Sequence, residues 1–90
     1  MITVITREKL KIDRERDRID DLLRSANKYA REGRKRNTLR TLRNIRQKYK
    51  KLWDSFGKSE YENEIRAYGT EMARETAEIR KELDYRRQKR

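Results

Sequence analysis

The side chains of this sequence with a capacity for chemistry are cations, and they crowd into one stretch. Gly33 to Trp53 reads GRKRNTLRTLRNIRQKYKKLW and holds nine Lys or Arg residues and no Asp or Glu. At about 100° per residue in a helix, Arg36, Arg40, Arg43, Gln47 and Lys50 project from one side. Arg34 and Lys35 lead into that line and Lys51 flanks it. Cations in a row bind anions, and the planar fork of arginine suits two oxygens of one phosphate. From Arg36 to Lys50 the line spans about 21 Å, enough to cross a nucleic-acid groove and touch both backbones. Side chains able to read base edges or a 2′-hydroxyl are few: Gln47, with Asn44 and Asn37 beside it. That scarcity favours recognition of shape over recognition of sequence.

Other chemistries find little to work with. The chain has no Cys and no His, which removes disulfides, thiolate and imidazole metal sites, and the usual nucleophile–base pairs. No catalytic constellation, metal or cofactor is expected. The carboxylates Glu71, Glu75, Glu78, Glu82 and Asp84 alternate with Arg and Lys, and read as surface ion pairs rather than metal ligands.

The cationic line needs a scaffold behind it, and the same stretch supplies one. Leu39, Leu42, Ile45, Tyr49, Leu52, Trp53 and Phe56 recur every three or four residues, opposite the cations. The spacing predicts a helix over 38–56, capped by Asn37 or Thr38, with the aromatic residues in the core rather than stacked on bases. A first helix is predicted over 7–32. Thr6 is its N-cap, Ile5 and Leu10 form a hydrophobic staple, and an Asp20–Arg24 pair supports it at i,i+4. Its inner side carries Ile12, Ile19, Leu22, Leu23, Ala26, Tyr29 and Ala30, but Glu15 and Arg16 interrupt the stripe and predict weak packing in its first half. Gly33 fits the helix stop. Gly57 is read as a left-handed stop for the second helix, and Ser59 with Glu62 as the capping box of a third over 60–87. That helix aligns Tyr61, Ile65, Tyr68, Met72, Thr76, Ile79 and Leu83, with Gly69 beside the stripe. The absence of Pro agrees with a chain that is nearly all helix.

These elements define an all-α fold, a three-helix antiparallel hairpin or bundle forming a single domain over 1–90. Residues 1–6 are an N-terminal arm and 86–90 a basic tail. Leu, Ile, Val and Phe make up only 16 of the 90 residues, against a net charge of +11. So thin a core predicts helices that share apolar faces across a homodimer, with Ile19, Leu23, Leu42, Ile45, Tyr49, Trp53, Phe56, Ile65, Met72 and Ile79 as dimer and core positions. Folding upon binding is the second reading. No apolar run is long enough to span a membrane, so a soluble intracellular protein is expected.

The charge is unevenly placed. Residues 1–32 carry a net +2, residues 33–58 a net +9 and residues 59–90 none. The outer helices cannot neutralise the middle one, so the expected partner is a polyanion, with duplex RNA favoured over duplex DNA. In helical architecture and charge the chain resembles the small all-helical RNA-silencing suppressors of insect nodaviruses. The resemblance implies an α-hairpin dimer laying basic residues along duplex RNA; no motif residue matches, so no functional residue is carried over. Three other readings compete. One is an assembly adaptor or inhibitor docking on an acidic protein. Another is a ribbon-helix-helix DNA binder reading with Ile2–Thr6. The third is a membrane-surface amphipathic helix anchored by Trp53 and Phe56.

Overall fold

The computed structural model describes residues 6–88. They form three helices, α1 (Arg7–Arg31), α2 (Lys35–Phe56) and α3 (Glu62–Gln88), in a body of 56 × 22 × 19 Å. The described residues contain no strand. Residues 1–5, and with them Ile5 of the expected staple and most of the N-terminal arm, lie outside the described residues, as do Lys89 and Arg90 of the basic tail. The other half of that staple, Leu10, is exposed.

The Thr6 cap forms as expected, its hydroxyl accepting from Lys9 N at 3.1 Å. The same hydroxyl meets the Tyr61 phenol, tying the start of α1 to the turn before α3. At the other end Glu32 is the C-cap and Gly33 takes φ 71°. Gly33 N bonds Ala30 O at 3.0 Å and Arg34 N bonds Tyr29 O at 2.9 Å, the paired bonds of a Schellman stop. This compact reversal starts α2 at Lys35, three residues before the expected 38. Arg34 becomes the N-cap and makes no side-chain capping bond. Thr38 is therefore not a cap but an interior helical residue. Its hydroxyl donates to Arg34 O at 2.7 Å, as Thr41 donates to Asn37 O at 2.8 Å, and both are buried.

The second turn also differs from expectation. Gly57 is right-handed, at φ −66° and ψ −17°. It is glycine because the Trp53 indole lies on it, and an added Cβ would stand 2.7 Å from Trp53 Cδ2. No capping box forms. Ser59 Oγ donates to Phe56 O at 2.6 Å and accepts from Tyr61 N at 3.1 Å, while the Glu62 carboxylate accepts from Arg66 at 2.8 Å. The serine hydroxyl is thus spent on closing the turn, and α3 begins at Glu62 rather than 60.

Two apolar clusters hold the bundle. Ile12, Leu52 and Ile65 meet at one end, with Tyr49, Trp53, Phe56 and Tyr61 half-buried around them. Ile19, Leu23, Ala26, Ala30, Ile45, Tyr68, Met72, Ile79 and Leu83 form the longer cluster, flanked by Leu22, Leu39, Leu42 and Tyr49. These pairings set α2 antiparallel to both neighbours and α1 alongside α3 in the same direction. Of the expected core positions, Leu42, Tyr49, Trp53 and Phe56 are half-buried and the rest are buried. Thr38 and Thr41 join the interior, and their back-bonded hydroxyls explain how threonine is tolerated there.

The first half of α1 is well packed, contrary to expectation. Ile12 is fully buried, and Arg16 bridges the interruption: its guanidinium lies 4.5 Å from the Tyr68 ring centroid and 3.4 Å from Glu64. Lys9 pairs with the same Glu64. The Asp20–Arg24 pair does not form. Asp20 accepts from the Tyr68 hydroxyl at 2.9 Å, and Arg24 turns to Asp21 at 2.5 Å. An inward partner for Asp20 outcompetes an exposed ion pair, which is worth little.

Candidate nucleic-acid interface

The crest of α2 is cationic because its other side is committed to the two clusters. Arg34, Lys35, Arg36, Arg40, Arg43, Gln47, Lys50 and Lys51 are all exposed, and so is Arg46. Arg34 has neighbours of its own kind of helix end: Glu32 at 3.7 Å and the Tyr29 ring at 5.5 Å. Among the described residues, none of Lys35, Arg36, Arg40, Arg43, Arg46, Lys50 or Lys51 forms an ion pair. The structure thus brings the expected line together on one surface and leaves it without internal counter-charge.

Helix electrostatics sharpen the imbalance. The first turn of α2 contains no acidic residue, and Lys35 and Arg36 sit beside the positive end of the helix dipole. Like charges at i,i+4, as at Arg36–Arg40 and Arg46–Lys50, add further repulsion of a few tenths of a kcal/mol each. A bound anion relieves both.

The candidate readers divide. Gln47 and Asn44 are exposed and available, whereas Asn37 is half-buried. Tyr49, Trp53 and Phe56 are packed against the first cluster, as expected of core residues. Arg66 covers the Trp53 ring at 5.9 Å, so the indole is not an open stacking platform.

A second basic surface lies between α1 and α2, and the net charge of the α1 segment does not reveal it. Lys11, Arg14 and Arg18 line a groove of about 560 Å³ opposite Lys48 and Lys51, with Leu52 and Phe56 beneath. The α1 segment nets only +2, yet these three cations lie at i, i+3 and i+7 and so share a side of the helix.

The groove between α1 and α3 has the opposite character on its α3 wall. It measures about 850 Å³ and is lined there by Glu71, Glu75, Glu78 and Glu82, facing Arg24 and Arg31 of α1. The expected surface pairing of these carboxylates is realised at one position only: among the described residues Glu82 meets Arg86 at 2.9 Å, and Glu71, Glu75, Glu78 and Asp84 form no ion pair. Among the described residues no three acidic side chains converge as a metal site.

The chain matches no protein-family model, no curated protein and no solved structure. Among the described residues no helix is long and apolar enough to cross a membrane.

Proposed function

We propose that this protein binds nucleic acid through the phosphate backbone, with duplex RNA as the preferred ligand, and has no catalytic role. The observation that carries the proposal is the line Arg36–Arg40–Arg43–Lys50, exposed along about 21 Å of rigid helix with no carboxylate partner among the described residues. A cationic line on a helix packed from behind has a fixed backbone spacing, so binding a duplex orders side chains but no backbone. Few base readers accompany it, which suits the shape and 2′-hydroxyls of an A-form helix. Such a ligand implies an intracellular site of action.

A homodimer doubling this surface belongs to the proposal in a modified form. A single chain closes both of its clusters, and among the described residues Leu10 and Tyr85 are the large apolar side chains left exposed. Two copies come together either on the duplex or through the half-buried apolar residues Leu42, Tyr49, Trp53 and Phe56. Sedimentation with and without duplex distinguishes the two routes.

The test of function is a competition shift assay across a salt series with duplex RNA, duplex DNA, single strands and heparin. Duplex RNA is expected to compete best, and log K to fall linearly with log salt. Heparin competing as well as duplex RNA would reduce the protein to a general polyanion binder, including one that docks on acidic proteins. Preference for single strands would remove the shape argument.

A further inference from the structure

The groove between the first half of α1 and the last half of α2 holds a charge that no carboxylate balances. Lys11 and Arg14 stand on one wall and Lys48 and Lys51 on the other, over Leu52 and Phe56. Glu15 also borders it, but Arg18 already occupies that carboxylate at 2.9 Å. Among the described residues the remaining four cations have no ion pair.

We propose that this groove binds a chain of phosphoryl groups, either the polyphosphate at the end of a nucleic-acid strand or a free polyphosphate. The argument is one of shape and charge. A convex crest such as α2 touches a continuous backbone from outside, where each diester offers a single negative charge. A concave site with cations on both walls encloses its ligand instead, and four cations exceed what one diester can satisfy. A terminal phosphomonoester carries about −1.5 to −2 at neutral pH, and each further phosphoryl group adds charge and acceptor oxygens. This inference adds Lys11, Arg14 and Lys48 to the cations read as phosphate ligands and shares only Lys51 with the proposed interface, and its first test uses no polynucleotide.

Inorganic tripolyphosphate is the first probe, followed by amide chemical shifts and thermal unfolding of the full chain. Shifts are expected to concentrate at Lys11, Arg14, Lys48 and Lys51, with a rise in Tm. Both are expected to vanish in the Lys11→Gln/Arg14→Gln/Lys48→Gln variant and to persist in Arg36→Gln/Arg40→Gln/Arg43→Gln. Equal shifts along the crest, or an unchanged response in the groove variant, would overturn the site. The second probe compares one RNA hairpin bearing a 5′-triphosphate with the same hairpin bearing a 5′-hydroxyl. A preference of about tenfold, lost in the groove variant, identifies the strand end as the source. A ratio near one with tripolyphosphate still held in the groove identifies the free polyphosphate. If neither hairpin binds while tripolyphosphate does, the polynucleotide function fails and the groove stands.

Discussion

The phenol of Tyr49 lies directly on the backbone of Gly69, and its hydroxyl donates to Ile65 O at 3.1 Å. A Cβ on Gly69 would come within 2.6 Å of Tyr49 Cζ. The glycine therefore lets the Tyr49 ring of α2 lie against the backbone of α3. In an unconstrained helix, Gly to Ala gains about 1 kcal/mol. Here the overlap with a ring held on both sides is expected to cost about 1–3 kcal/mol. Gly69→Ala should thus lower stability in urea unfolding, and Tyr49→Leu should make the same substitution less harmful. An increase in stability for Gly69→Ala alone would show that the ring moves aside freely.

The two-sided design of α2 was legible in the sequence, because a 3.6-residue period separates Arg36, Arg40 and Arg43 from Ile45 and Leu52 without reference to any neighbour. The helix starts were less so. Thr38 looks like a cap when the length of the preceding turn is unknown, and the Schellman bonds at Gly33 decide that length. The conformation of Gly57 is not legible in the sequence, because a close indole demands glycine as surely as a positive φ does, and only packing tells them apart. The α1 cations of the second basic groove are obscured in the sequence by the acidic residues between them, of which Glu15 also borders the groove and pairs with Arg18. Tyr68 had no visible partner in the sequence, since Asp20 is 48 positions away.

Substitutions on the two sides of α2 should separate binding from folding. Arg36→Ala, Arg40→Ala and Arg43→Ala should each weaken duplex binding, leave the helical circular dichroism unchanged, and lower the salt slope by about 0.9 where the lost contact is to a phosphate. Ile45→Asp and Leu52→Asp place a carboxylate in fully enclosed positions and should unfold the bundle. Leu42→Asp should be milder, because Leu42 is only half-buried. Loss of helicity in the arginine variants would mean that the crest is structural.

Stability should fall on the alkaline side. Burial, together with the hydrogen bond to Asp20, raises the Tyr68 phenol well above its ordinary value of 10.0, and burial raises Tyr49 as well, with Arg66 acting against it. The Glu64 and Asp13 carboxylates raise Lys9 above 10.5, against a smaller effect of burial. A raised folded pKa means that the folded state holds its proton more tightly. The contribution is complete below the unfolded value and is lost as pH rises from about 10 towards the folded values. Urea midpoints should therefore be flat through neutral pH and decline above pH 10. Tyr68→Phe should flatten part of that decline, while costing about 1–2 kcal/mol at neutral pH through the lost bond to Asp20. An unchanged alkaline limb in this variant would place the titration elsewhere.

The start of α2 offers a direct trade of binding against stability. Arg34 occupies the N-cap without making a capping bond, and Lys35 and Arg36 follow at the positive end of the dipole. Aspartate at that position supplies both the missing acceptor and a favourable charge, a gain of about 0.5–2 kcal/mol, offset slightly by the exposed contacts of Arg34 with Glu32 and Tyr29. If the cationic end of α2 is kept for a ligand, Arg34→Asp should raise the unfolding midpoint and weaken duplex binding together. The same logic requires duplex, or sulfate at low ionic strength, to stabilise the wild-type chain more than the Arg34→Asp variant, since the variant carries its own anion. A more stable protein that binds duplex as well as before would detach Arg34 from the interface and confine the contact to Arg36 and beyond.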